Sequence, residues 1–256
     1  MKKRFDLSGK VAVVIGGAGG IGGAIATGFV EHGARLVMAS RNIENLKLRA
    51  AAIGRETGGE ATAMGVDITD EEDVIRLVGE IVARYGTVDI LVNAHGANKK
   101  AKGLDLSMED WQLLHNVNSM GTMISCKQFG RIMTKRRSGK VINLSSVRGI
   151  RANAGGNSAY CSTKGAVDMI TRCLAAEWAP FNVNVNAIGP ALIATKLTEK
   201  QMKEPGRTEK YLRNIPLGRL GKAEDMVGAA IFLASAASDF VTGQIIYVDG
   251  GLTAIG

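Results

Sequence analysis

The sequence is poor in cysteine, histidine and proline, with three, three and four among 256 residues. Cys126, Cys161 and Cys173 lie far apart and form no C-x-x-C pair, which excludes a disulfide framework and a cysteine zinc site. His32, His95 and His115 supply no metal-ligand spacing either, so no metal is expected. No stretch approaches the ~18 uninterrupted apolar residues of a membrane-spanning helix. Met1 to Lys10 holds no apolar run of the secretory kind. Together these absences imply a cytoplasmic protein without a membrane partner. The 33 glycines show no repeat period. That excludes collagen-like and linker sequences and reads as tight turns and close backbone approaches.

Hydrophobic residues make up 46% of the chain, and a chain this long hides roughly 70–75% of its unfolded surface. The net charge of +8 fits either a basic, soluble surface or an anionic ligand. Lys2-Lys3-Arg4 and Lys135-Arg136-Arg137 are the only basic clusters. Neither sits in a nucleic-acid-binding motif, so no nucleic acid is expected.

Short apolar runs at Val11–Ile15, Arg35–Ser40, Ala61–Val66, Val88–Asn93, Lys140–Leu144, Asn182–Ile188 and Ile245–Val248 read as strands covered on both faces. Helical patterns lie between them, near Gly20–His32, Ile43–Thr57, Asp70–Tyr85, Met108–Arg136, Tyr160–Trp178 and Ala223–Ala236. This alternation predicts an α/β fold: one doubly wound parallel sheet of the Rossmann type, about seven strands, with helices on both faces. No linker or repeat divides residues 1–256, which reads as one domain. The least patterned stretch, 190–222, follows a strand's carboxyl end, where open α/β sheets bind ligands. It is expected to be a lid over a substrate; an ordinary surface insertion is the alternative.

The first strand runs into Gly16-Gly17-Ala18-Gly19-Gly20-Ile21-Gly22 and then a helical pattern. Glycines let the chain turn sharply and let backbone N–H groups approach a pyrophosphate at the helix N-terminus. About 20 residues past such glycines, an NAD site carries Asp or Glu for the ribose 2′-hydroxyl. Here Gly20 plus 20 is Ser40, followed by Arg41, a guanidinium able to pair with a 2′-phosphate. NADP(H) is therefore the expected cofactor.

Taken in order, further segments carry a specific resemblance. They are Gly16-x-x-x-Gly20-x-Gly22, Val66-Asp67, Asn93-Ala94-His95-Gly96, Asn118, Ser146 in Leu144-Ser145-Ser146, and Tyr160-x-x-x-Lys164. Ile188-Gly189-Pro190-Ala191 leading to Thr195, and Val241-Thr242-Gly243-Gln244 leading to Val248-Asp249-Gly250-Gly251, complete them. Over nearly its whole length the chain resembles the short-chain dehydrogenase/reductase family. The resemblance implies Asn118, Ser146, Tyr160 and Lys164 as the catalytic set. Around the cofactor it implies Gly16, Gly19, Gly20, Ile21 and Gly22. It adds Ser40, Arg41, Asp67, Asn93 and Gly96, then Tyr160, Lys164, Pro190, Ile193 and Thr195. It also implies a homotetramer, with Gln244–Val248 and Leu252–Gly256 meeting across a two-fold axis and Met108–Arg136 forming another interface. The chain departs from the family pattern at Ile15, where Thr usually braces the N-A-A-G segment, at His95 in place of Ala, and at Ala191 in place of a Gly. Gly19 stands where many NADP-using relatives carry a basic residue.

The chemistry can be derived from the residues. Tyr160 and Lys164, four apart in a helical pattern, share a face. A nearby ammonium is expected to lower the tyrosine pKa from about 10, making it an acid in reduction and a base in oxidation. Ser146 can donate to a substrate oxygen as charge develops. The resemblance adds that Lys164 holds the nicotinamide ribose and Asn118 positions a relay water.

For the substrate, Ala39-Ser40-Arg41-Asn42, Gly96-Ala97-Asn98 and Ile215-Pro216-Leu217-Gly218-Arg219 resemble the gluconate 5-dehydrogenase group within the family. That implies an anionic sugar acid such as gluconate or its 5-keto form. Separately, Lys99, Lys100, Arg148 and Arg151 follow strand carboxyl ends and are expected to face the crevice, where a cation would orient a carboxylate. Solvated loop charges are the alternative. Two other functions stay open. One is a 3-oxoacyl-carrier-protein reductase, which the positive charge and Arg137 suit, although that subfamily's second basic residue is Phe181 here. The other is a non-catalytic dinucleotide sensor or scaffold, against which Ser146, Tyr160 and Lys164 argue.

Overall fold

Strand β1 (Val11–Ile15) is five apolar residues, all buried. Successive side chains leave a strand on opposite faces, so Ala12 and Val14 enter one core while Val11, Val13 and Ile15 enter another. A computed structural model describes residues 4–152, 154–194 and 206–255 of the chain. The remaining strands are β2 (Arg35–Ser40), β3 (Ala61–Gly65), β4 (Ile90–Asn93), β5 (Gly139–Leu144), β6 (Val183–Pro190) and β7 (Ile245–Val248). They form one parallel sheet in the order β3-β2-β1-β4-β5-β6-β7.

The first core packs beneath α1 (Gly20–Glu31) and α2 (Ile43–Thr57), with Ala230, Ile231 and Leu233 of a late helix. The second packs against α3 (Glu71–Tyr85) and two long helices further on, through Phe129, Met133 and Leu174. With apolar cover on both faces, strands read as continuous apolar runs, the signal seen in the sequence. Chain order reverses between β1 and β4, which opens a crevice at the strand carboxyl ends.

Several boundaries differ from the sequence expectation. The pattern Met108–Arg136 is not one helix. It is α4 (Met108–His115), a π turn over Asn116–Met120, and α5 (Gly121–Arg136). The wide turn closes with the Gly121 N–H donating to the Asn116 carbonyl, five residues back. Strand β6 runs on through Pro190, which pairs with Val248. Strand β4 starts at Ile90 because the Asp89 carboxylate takes the Val11 N–H at 2.9 Å, where a ladder bond would otherwise form. Helix α6 (Ser158–Trp178) begins two residues earlier than expected. In the stretch 190–222, Ile193 bridges Gly221 and the helix α7 (Arg207–Leu212) follows; residues 195–205 lie outside the described residues. The pattern Ala223–Ala236 resolves into a 3-10 turn and α8 (Val227–Ala234). Among the described residues, no helix is long and apolar enough to cross a membrane.

Candidate active site

Two cavities open at the strand carboxyl ends. A cleft of about 910 Å³ follows the loop between β1 and α1, and a cavity of about 330 Å³ lies beside the start of α6. Ile21 and Ala94 to Ala97 line both, so the two spaces join there.

The cleft is built by glycines. Gly16 has φ +83°, and a Cβ there would sit 2.7 Å from the His95 nitrogen. A Cβ on Gly22 would run into the Gly16 carbonyl oxygen. Helix α1 starts at Gly19 with no side-chain cap, leaving N–H groups aimed into the cleft, which is an anion site in waiting. Gly20, Ser40 and Arg41 line the same cleft. So does Asp67, which the Thr69 N–H and hydroxyl hold at 2.9 and 2.7 Å and keep below the usual carboxylate range. A cradle closed to any side chain, an uncapped helix start and a guanidinium together fit a phosphorylated dinucleotide.

The sequence missed Arg49, which also lines the cleft. Its guanidinium donates to Thr27 at 2.8 Å and pairs with Glu56 at 3.5 Å. Read as part of an amphipathic helix face, it carried no signal. Asn93 lines neither cavity. It lies buried beneath, donating to Asn143 at 2.9 Å and accepting from Ser125 at 2.6 Å. Thr195 lies outside the described residues.

Ser146, Tyr160 and Lys164 line the smaller cavity together. Ser146 ends β5 and caps the following 3-10 turn by accepting the Arg148 N–H at 3.1 Å. Its hydroxyl is hydrogen-bonded to Tyr160. Lys164 is buried, donates to the Leu144 carbonyl at 2.6 Å, and stands 5.8 Å from the Tyr160 ring centroid. Asn118, in the π turn, lines neither cavity. It clamps the post-β4 loop instead, accepting from Ala97 N at 2.7 Å and donating to Ala97 O at 2.9 Å and to Thr163 at 3.0 Å. Pro190 and Ile193 line the cavity as well.

The electrostatics correct one expectation. The Tyr160 pKa is raised, not lowered: burial outweighs the opposing hydrogen bond from Ser146 and the field of Arg148. Burial also pulls Lys164 down to about 8, with Asp168 opposing. His95, at the junction of the two spaces, is pushed down to about 3 by burial and by Lys164. Its Nε2 lies 3.4 Å from the Thr122 hydroxyl, while its buried Nδ1 has no partner.

The other departures cost little. Ile15 is buried in the core, and its carbonyl accepts the Ala94 N–H at 2.8 Å, so backbone braces the post-β4 loop. Among the described residues, only Arg137 and Asn182 are non-glycines with positive φ, so Ala191 carries no such strain.

The four basic residues separate. Lys100 and Arg148 line the cavity, and Arg148 donates to the Ala152 carbonyl at 3.0 Å. Lys99 and Arg151 do not face it. Lys99 is captured by Asp110 in the first turn of α4 at 2.6 Å, and Arg151 is tied to the Leu252 and Ile255 carbonyls. A carboxylate and a row of backbone acceptors lie within their reach on the outside, and sequence spacing could not show either. Asn157, Tyr211 and Leu252 also line the cavity. They come from distant parts of the chain and carried no sequence signal. Among the described residues, no group of three or more His, Cys, Asp or Glu could hold a metal ion.

This geometry is that of an oxidoreductase site, and comparison with known proteins places it. The chain belongs to the short-chain dehydrogenase/reductase family: the family described as Enoyl-(Acyl carrier protein) reductase matches residues 16–253. It is 37% identical to a gluconate 5-dehydrogenase of Gluconobacter oxydans over 250 residues, 97% of this chain and 96% of that one. It is also 38% identical over 247 residues, 96% and 98% of the two chains, to the 3-oxoacyl-acyl-carrier-protein reductase FabG of Thermotoga maritima. Among solved structures, a gluconate 5-dehydrogenase from Burkholderia cenocepacia in complex with NADP and tartrate superposes with a TM-score of 0.95 at 36% identity, covering 100% and 99% of the two chains. The protein is thus a dinucleotide-binding oxidoreductase acting on alcohol or ketone groups.

Proposed function

We propose that the protein is an NADP(H)-dependent oxidoreductase that interconverts a secondary alcohol and a ketone on a sugar acid, gluconate and its 5-keto form being the leading pair. One observation carries this reading. Ser146, Tyr160 and Lys164 share a cavity with Arg148 and Lys100, and that cavity joins a glycine-walled cleft containing Arg41. The nicotinamide, when bound, exchanges a hydride with the carbonyl carbon. The chain handles the proton. In reduction the Tyr160 hydroxyl gives its proton to the carbonyl oxygen, and in oxidation it takes one back. Ser146 donates a hydrogen bond to the same oxygen. Lys164 sets an ammonium beside the ring and reaches the ribose side, and Asn118 holds the loop that joins the two spaces and serves the relay water. Arg148 and Lys100 supply cations for a carboxylate, and charge-assisted contacts of that kind are the strong ones.

Arg41, with no carboxylate at Ser40, favours the 2′-phosphate. The NADP complex of the Burkholderia relative supports this choice. The segment 190–222 would close over the substrate, since its ends are already clipped together by Ala194 N to Gly221 O at 2.9 Å. Assembly as a homotetramer in the cytoplasm completes the reading; the half-exposed edge strand β7 and the exposed Met120 and Met123 support it. The test is turnover of gluconate and of a neutral polyol of similar length with both cofactors. Tyr160→Phe should lower kcat at least ~100-fold, the lower end for general acid–base catalysis, with little change in cofactor affinity. A Tyr160→Phe enzyme with near-normal turnover would sink the assignment.

One observation favours a second substrate class. Arg137, exposed and held 5.8 Å over the Phe181 ring, offers a surface cation to an acidic carrier domain. Turnover of an acyl-carrier thioester above that of gluconate would replace the sugar acid by that substrate.

A further inference from the structure

Behind the cavity lies a carboxylate that the proton transfer described above does not use. Asp168 sits one helical turn past Lys164 on α6 and is 2% exposed. Helical side chains lean toward the helix N-terminus, so its carboxylate lies over the turn that carries Lys164. Two glycines make room for it and its neighbour. A Cβ on Gly149 would collide with the Asp168 carboxylate oxygen Oδ2. A Cβ on Gly189 would sit 2.6 Å from the Tyr247 ring. That ring reaches from β7 over β6 and brings its hydroxyl to 3.5 Å from Asp168 Oδ2. The second oxygen, Oδ1, is buried without a hydrogen-bond partner. A nearly dry carboxylate with an unpartnered oxygen is costly to keep ionised unless a cation lies close by.

We propose that Asp168 is a positioning residue that acts as the buried counter-charge of Lys164, holding the lysine as an ammonium beside Tyr160. This inference rests on the reading of Tyr160 and Lys164 as the proton-handling pair. Burial raises the Asp168 pKa and lowers that of Lys164, and each charge opposes the other's shift, so the two are ionised together. The other titratable and charged groups around them come from several elements. His95 faces Lys164 from the loop after β4, and its depressed pKa keeps it neutral. Arg148 and Cys161 bear on Tyr160, while Arg172 and Tyr247 bear on Asp168. Asp168 is thus the anion packed against the lysine, and removing it makes protons leave the Tyr160–Lys164 pair more easily.

Ketone reduction needs Tyr160 protonated, so the alkaline limb of kcat/KM for reduction should move to lower pH in Asp168→Asn. The expected shift is roughly 0.5–1 pH unit, the effect of one charge about a helical turn away in a medium between protein and water. Asp168→Ala, smaller than the native side chain, is carried alongside, so that a failure of the asparagine variant to fold leaves the same limb to be read. A readout without turnover is the phenolate absorbance of the cofactor-free protein, taken as the difference from its Tyr160→Phe counterpart. Its titration should shift down by a similar amount in both Asp168 variants. A merely structural aspartate would lower kcat and leave the limb and the titration where they are, and that result overturns the proposal. If Tyr160→Phe itself stays active, the proton-pair reading fails instead, so the two failures are told apart.

Discussion

Replacing His95 should make the protein less sensitive to acid. The imidazole sits where the two cavities join, and burial together with the Lys164 ammonium pushes its pKa down to about 3. In the unfolded chain the value is about 6.5. Below pH 6.5 the unfolded state takes up a proton that the folded state refuses, so stability present at neutral pH is lost as pH falls. At pH 4.5, two units under the unfolded value and still above the folded one, the loss from this residue is about 2.5 kcal/mol relative to pH 7. At ~2–4 °C per kcal/mol for a chain of this size, that is roughly 5–10 °C of Tm. The assay is thermal unfolding at pH 7, 5.5 and 4.5 for the wild type and His95→Ala. The variant also loses packing, which lowers its Tm at every pH, so only the pH dependence is read. The wild-type curve should fall more steeply, by about the amount worked out above. Parallel curves would refute a neutral, buried His95.

Other outcomes follow from the same geometry. Gly22→Ala forces a methyl group onto the Gly16 carbonyl and the Ala94 side chain; overpacking of this kind costs about 1–3 kcal/mol, and cofactor Kd by fluorescence should rise at least tenfold. Arg41→Ala should erode the NADP-over-NAD ratio of kcat/KM by roughly 10–100-fold, since a hydrogen bond to a charged group is worth about 1.5–3 kcal/mol; an unchanged ratio would remove Arg41 from the 2′-phosphate site. Arg148→Ala should raise KM for the acid about tenfold or more, while Lys99→Ala, whose ammonium is engaged by Asp110 at an exposed site, should change it less than twofold. Equal effects of the two variants would contradict the placement of these cations.

The sheet was readable because its code is local. Each strand is buried on both faces, so Val11–Ile15 or Arg35–Ser40 shows up as an unbroken apolar run whatever surrounds it. The glycine loop was readable for a related reason: Gly16 and Gly22 stand where any side chain meets backbone, and that demand is written at those positions. What escaped reading depends on contacts distant in sequence. Lys99 and Arg148 look alike in a sequence, and only the presence of Asp110 eleven residues on turns the first away. The Tyr160 pKa followed its burial rather than the neighbouring lysine, and burial is a property of the whole fold. The partners of Asp168 come from β7, 79 residues downstream, which no spacing rule reaches.

The π turn at Asn116–Met120 has a consequence for how this chain can change length. Loops ordinarily absorb the gain or loss of a residue. Here a single deletion would let α4 and α5 fuse into one regular helix with better local bonding. Everything beyond would then be turned by about 100°, carrying Cys126, Phe129 and Met133, all fully buried, off the core face. The surplus residue works as a phase setting between two cogs. It lets one helical rod present Asn118 to the loop after β4 while its far half still meshes with the sheet. Deletion scanning across 108–136 should therefore find the least tolerance where the local helix geometry is poorest, the reverse of what local helix propensity alone would dictate.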